Sequence, residues 1–169
     1  LLHDAARRED PTRPTTSAGT APWDHPANWV VDAPAFNRYA GWYEATTDAL
    51  GPQLDAMRAA HPGRPIGLGE DGAGASINQH ELPARKPEPA GKWHPEEYQS
   101  EYHEQAWRVI NERPWLWCTF VWNMFDFAAD QRSEGDHPGR NDKGLITYDR
   151  KTRKDAFWFY KANWSDEPV

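Results

Sequence analysis

A single cysteine, Cys118, is all the chain contains, so neither an internal disulfide nor a cysteine-built metal site can form. Long apolar runs are missing as well. No stretch approaches the roughly 20 residues that a membrane-spanning helix needs. The opening Leu1-Leu2-His3-Asp4-Ala5-Ala6-Arg7-Arg8 lacks a secretory-signal pattern and reads as the tail of an amphipathic helix. A soluble protein is expected, in a compartment that one thiol does not identify. Positive charge is not in excess either: the net charge is −7 with the acids dispersed. That excludes the basic stripe of a nucleic-acid interface and leaves a solvated acidic surface. His3, His25, His61, His80, His94, His103 and His137 fall in no HxxxH or HExxH spacing, so no metal site is expected. Ser76 sits in no GxSxG elbow, and "GAGAS" (72–76) lacks both GxGxxG and a Walker lysine.

Tryptophan and proline, by contrast, are abundant, at ten and fifteen. Indole rings fill cores, and they also make flat platforms for the C–H faces of sugars. The patterning alternates short apolar runs with helical periods. "DPTRPTTSAGT" (10–20) opens on turn residues and continues as a short β-branched stretch, and "NWVVDAPAFN" (28–37) carries a Trp-Val-Val strand core. Leu50, Leu54, Met57 and Ala60 form a helix face that stops at His61-Pro62-Gly63. Ile66 and Leu68 alternate in "RPIGLGE". A Pro-rich loop from Gln79 to Trp93 is long enough to be functional. Pro95 suits a helix start, with Glu96 and Glu97 at the positive end of its dipole and Tyr98, Tyr102, Ala106 and Val109 on one face. "WLWCTFVW" (115–122) has the composition of a strand covered on both faces. A polar loop (128–144), a β-like "LITYD" and a helix with Phe157, Tyr160 and Trp164 complete the chain.

This order predicts an α/β fold with a parallel sheet. Four such units in this length match the spacing of half a (β/α)₈ barrel, which takes about 250 residues in full. A flavodoxin-like open sheet fits the order too, though no phosphate loop opens a helix near the start. In a barrel the reactive groups stand at the C-terminal ends of strands. Those ends carry Asn37 with Tyr39 and Tyr43, then Glu70, then Trp122 with Asn123 and Asp126; Asn141 and Lys143 lie in the long loop. One carboxylate among amides, hydroxyls and indoles suits a polyhydroxylated ligand. Each also has a plainer reading: a capping or ion-paired Glu, aromatic core, and an Asn-Asp-Lys-Gly turn.

The blocks "DPTRPTTSA", "FNRYAGWY", "GEDGAGASI", "WHPEEYQSEYHEQAW", "RPWLWCTFVWNMFDFAADQRSEGD" and "GRNDKGLITYDRKTRKDAFWFYKANW" occur in this order. Together they resemble the C-terminal half of the catalytic barrel of glycoside hydrolase family 2, most closely its β-galactosidases, and the resemblance covers residues 1–169. It implies a partial TIM barrel made of about the last four βα units. It also implies a retaining glycosidase for terminal β-D-galactosides that needs no cofactor. Glu70 is then the nucleophile, with Gly72, Ala73 and Gly74 leaving room for the sugar. Trp122 floors the sugar subsite, Asn37 and Tyr39 stand beside the nucleophile with Tyr43 close by, and Asn141 and Lys143 approach the bound sugar. Related β-glucuronidases use an Asn-x-Lys loop on the sugar carboxylate, so that specificity stays open, as does a non-catalytic carbohydrate-binding remnant or a plain interaction module. The implied partners are a β-galactoside or related sugar and the upstream half of the barrel, from the same gene or a partner chain. Neither nucleic acid nor membrane is expected, and a homo-oligomer of the complete enzyme is compatible.

The resemblance has departures. The family's usual Ser-Glu-Tyr is Gly69-Glu70-Asp71 here; Asp71 is expected to act as a like charge on Glu70, raising the pKa of one of the pair and impairing activity. Cys118 stands where Gly is common. The acid/base, which follows an Asn at the end of the fourth barrel strand, has no counterpart, since Asn111-Glu112 ends a helix. The first four strands and the N-terminal β-sandwich domains are likewise outside the chain. The expectation is a fragment, or one part of a split enzyme, inactive alone.

Overall fold

Prolines and glycines place most of the element boundaries. In the computed structural model, which describes residues 2–44 and 46–166, α1 (Leu2–Glu9) buries no side chain. It leads to a two-residue strand, β1 (Ala18–Gly19). Pro26 then opens a 3₁₀ turn, Pro26–Trp29, capped by His25, whose Nδ1 accepts from Ala27 N. The next strand, β2, is only Ala35–Asn37. The Trp-Val-Val strand core expected from the sequence is therefore not a strand. Arg64 takes its carbonyls instead, donating to Trp29 O at 3.1 Å and Val31 O at 2.8 Å.

Helix α2 (Leu50–Ala60) buries Leu50, Leu54 and Met57, and the turn after it needs Gly63 at φ +83°. Strand β3 (Ile66–Asp71) follows, then the long loop, then α3 (Glu96–Asn111) with Pro95 just outside its first turn. The last major strand is β4 (Leu116–Val121). A small antiparallel pair, β5 (Phe127–Ala128) and β6 (Arg140–Asn141), precedes α4 (Asp155–Trp164). "LITYD" contributes isolated bridges at Ile146 rather than a strand.

β1 to β4 form one parallel sheet in sequence order. An all-parallel sheet whose strands alternate with helices is the arrangement of a partial TIM barrel; only the β1–β2 connection lacks an α-helix. Leu68 of the sheet meets Leu54 of α2 and Tyr102 and Ala106 of α3 in one core cluster, and Phe36 and Ile66 meet Met57 of α2 in a second, all fully buried. Each such apolar side chain contributes about 1.5–3 kcal/mol. β4 departs from its composition. None of its residues is fully buried, and Phe120 is 55% exposed, with β4 lying at the edge of the sheet.

Candidate active site

Successive side chains of a strand point to opposite faces, so Glu70 and Asp71 at the end of β3 part company. The Glu70 carboxylate reaches a cleft of about 350 Å³. Its Oε2 accepts from the Tyr39 hydroxyl at 2.7 Å, while its carbonyl accepts from Arg38 N at 2.8 Å. The register pairs it with Asn37. Burial and then the Glu70 hydrogen bond push the Tyr39 phenol well above its ordinary pKa, so Tyr39 stays a proton donor to the carboxylate.

Asn37, Tyr39, Tyr43, Glu70, Trp122 and Lys143 all line this one cleft. Asn141 does not. At the end of β6 it is 2% exposed, and its Oδ1 accepts from Lys143 N at 3.1 Å. Its amide shapes the turn that presents Lys143. Thr20, Arg38, Glu44 and Arg132 complete the cleft wall without having been singled out in the sequence. Arg132 in particular lies in a polar loop with no periodicity to mark it.

The positive end of the cleft is organised around Tyr43. Lys143, 1% exposed, donates from Nζ to the Tyr43 hydroxyl at 2.9 Å. Its ammonium lies 5.3 Å from the Trp42 ring centroid and 5.0 Å from that of Tyr43. Arg132 Nη1 donates to the same oxygen at 3.4 Å and pairs with Glu134. Burial would raise the Tyr43 pKa, but Lys143 and Arg132 outweigh it and lower it. With both oxygen lone pairs engaged, the Tyr43 proton is free to donate into the cleft. Among the described residues Lys143 has no carboxylate ion-pair partner. Tyr39 and Tyr43, whose ring centroids are 5.1 Å apart, join the Glu70 and Lys143 ends.

The loop carrying Lys143 is clamped from behind. His94 Nδ1 and Asp142 Oδ2 are 2.6 Å apart, and burial, which would raise the Asp142 pKa, is outweighed by this contact. Buried Lys154 donates to Ala75 O, Asp126 Oδ1 and Asp142 O at 2.7–2.9 Å.

The bare turn after Glu70 serves this clamp and not the sugar. Residues 72–75 are all buried and do not line the cleft. A Cβ on Gly72 would collide with the Trp122 carbonyl oxygen, and one on Gly74 would stand 2.8 Å from His94 Nδ1. The small residues let the main chain of Trp122 and the His94–Asp142 pair close on β3. Gly72→Ala is accordingly expected to destabilise the fold by about 1–3 kcal/mol, read as a lower urea midpoint. An unchanged midpoint would restore the reading of Gly72 as sugar room.

Asp71 also departs from expectation. It is 0% exposed with neither oxygen hydrogen-bonded. Burial alone, and not the neighbouring Glu70, pushes its carboxyl up to about 7. Among the described residues no group of three or more His, Cys, Asp or Glu could hold a metal, and no helix is long and apolar enough to cross a membrane.

No protein-family model matches the chain. A curated β-glucuronidase from Bacteroides fragilis is 53% identical over 169 residues, an alignment covering 99% of this chain and 24% of that protein. A solved structure from Bacteroides fragilis, provisionally described as a β-galactosidase, superposes with a TM-score of 0.93 at 42% identity. It covers 99% of this chain and 25% of its own. In sequence and in fold, the chain is similar to a part of each of these proteins. β-Glucuronidase 2 of Bacteroides uniformis, solved covalently bound to cyclophellitol-6-carboxylate aziridine, superposes with a TM-score of 0.88 at 29% identity, over 99% of this chain and 20% of that one. The chain thus spans about a quarter of the curated relative's length.

Proposed function

We propose that the chain is the nucleophile-bearing part of a retaining β-glycosidase, with an acidic sugar, a β-glucuronide, as its preferred substrate. The observation that carries the acidic sugar is the Lys143 ammonium. It is buried, its hydrogen bond goes to a phenol, and among the described residues no carboxylate lies within ion-pairing distance. An unpaired buried charge costs several kcal/mol, and a carboxylate on the sugar would relieve it. Arg132 is already paired with Glu134, which leaves the Lys143 ammonium to meet an incoming anion. The Bacteroides uniformis relative, bound to a carboxylate-bearing reagent, supports the same assignment.

In the reaction, Glu70 attacks the anomeric carbon and forms a glycosyl ester, which water then hydrolyses. Tyr39 holds the carboxylate in position and Trp122 offers an apolar face to the ring. A second carboxyl group about 5–5.5 Å away must serve as acid/base. Glu44, the other carboxylate at the cleft, accepts from Gln53 Nε2 at 2.9 Å and builds the wall. The acid/base is therefore assigned to the upstream half of the barrel. A β-galactoside is the second reading, favoured by the description of the 42%-identical structure; it would leave Lys143 uncompensated.

The test assays aryl β-glucuronide and aryl β-galactoside with the chain alone and with the upstream half. The expected result is turnover only with both halves, and a preference for the uronide of at least about 100-fold in kcat/KM. A carboxylated cyclophellitol aziridine should label Glu70, seen as a mass shift lost in Glu70→Gln. Equal rates on the two sugars would overturn the acidic preference, and absent labelling the catalytic role. Robust turnover by the chain alone would remove the need for an upstream acid.

A further inference from the structure

His94 falls in no metal-binding spacing, and its surroundings give the ring another use. It stands just before Pro95, outside α3, and both of its main-chain groups are fixed. Its N donates to Gln79 Oε1 at 2.7 Å, and its carbonyl accepts from Ser76 N at 2.9 Å. The residue is 0% exposed. Among the described residues its Nδ1 is the one hydrogen-bond partner of the Asp142 carboxylate, whose Oδ1 has none. Nε2 meets Glu88 O of the Pro-rich loop at 3.3 Å. Gly135, at φ +70°, brings main chain so close that a Cβ there would stand 2.6 Å from Asp142 Oδ2.

Lys143 has two supports, and His94 touches both. One is Asp142, its neighbour in the chain. The other is Trp42, whose ring centroid lies 5.0 Å from that of His94 and 5.3 Å from the Lys143 ammonium. A buried carboxylate stripped of its partner is strongly unfavourable, so the turn through Asp142 holds its path only with the imidazole in place. We propose that His94 is a positioning residue for acidic-sugar recognition: through Asp142 and Trp42 it sets where the Lys143 ammonium meets the sugar carboxylate. This rests on the acidic-sugar reading above and deepens it by naming what fixes the specificity. The contact at stake forms when the sugar binds and is kept through the reaction, so its loss falls on KM and spares kcat.

The test uses variants of the assembled barrel. An Asn amide places a donor where Nδ1 stands and a Gln amide where Nε2 stands, so His94→Asn keeps the Asp142 contact and His94→Gln loses it. The first readout needs no substrate. It is the Tyr43 phenol, whose pKa burial would raise but Lys143 and Arg132 hold low, followed by NMR of isotope-labelled tyrosine rings as the signal lost in Tyr43→Phe. In His94→Gln, Tyr43 is expected to titrate higher than in the parent. KM for an aryl β-glucuronide should rise about tenfold, with kcat and the aryl β-galactoside KM nearly unchanged. His94→Asn should match the parent in both readouts. Asp142→Asn keeps the shape and weakens the same contact; it should move Tyr43 in the same direction, and it decides the matter if His94→Gln does not fold. An unmoved Tyr43 in the folded variants that weaken the contact, or equal shifts in His94→Asn and His94→Gln, overturns the positioning role. In a parent that prefers the uronide, a loss shared equally by both sugars overturns it too. A parent without that preference, with Tyr43 still shifted in His94→Gln, overturns the acidic-sugar reading instead and leaves His94 as the residue that places Lys143.

Discussion

Lys143→Met is expected to lower kcat/KM for an aryl β-glucuronide by two to three orders of magnitude in the assembled barrel, while an aryl β-galactoside loses less than tenfold. The asymmetry follows from what the ammonium touches. Removing one partner of a buried, hydrogen-bonded charge pair costs about 2–5 kcal/mol, and among the described residues no carboxylate forms an ion pair with Lys143, so a sugar carboxylate would be its partner. Methionine keeps the length and apolar stem of lysine, so the packing beside Trp42 and Tyr43 persists. Stability should hold or rise, because the variant removes a buried charge that lacks a counter-ion. Loss of both activities in parallel would assign Lys143 to loop architecture and leave substrate choice elsewhere.

A second large effect is expected at Asp71, in stability instead of rate. In the unfolded chain its carboxyl titrates near 3.8, and in the fold burial raises it to about 7. The folded state therefore holds the proton that the unfolded state has released. This contribution is complete below pH 3.8 and is lost as pH rises through about 7. Over that window each pH unit removes about 1.4 kcal/mol, close to 4 kcal/mol in all. Asp71→Asn keeps the shape and cannot ionise. Its urea midpoint should nearly match the parent below pH 4 and exceed it clearly at pH 8. Parallel pH profiles for the two proteins would show that Asp71 is solvated or paired in the fold. The groups facing it are Tyr39, Tyr102 and Tyr160, whose own pKa values its charge helps to raise. None offers a cation, and that is why the penalty has no local offset.

Much of the architecture is legible in the residues, for a physical reason. The i, i+4, i+7 recurrence of Leu50, Leu54 and Met57 and the alternation of Ile66 and Leu68 reflect which faces are buried, and burial drives the fold. The cleft is legible in part because strand ends project there. The misreadings occur where local pattern and long-range contact diverge. Trp29, Val30 and Val31 have strand propensity, yet Pro26 starts a turn beneath them and a distant Arg64 takes the Trp29 and Val31 carbonyls. Gly72 and Gly74 are small because the Trp122 main chain packs on the first and the His94 and Asp142 side chains on the second, which no local rule reveals. Asp71 was within reach: strand alternation alone separates it from Glu70 and turns it toward the core. Arg132 was not, since only the folded loop brings it to Tyr43.

Lys154 gives the site a mechanical property. One ammonium holds the backbone after β3, the Asp126 carboxylate and the backbone beside Lys143. None of these segments can swing out without stranding a cation in the interior. Opening is therefore all-or-none across them, and the backbone behind the cleft yields as a unit or not at all.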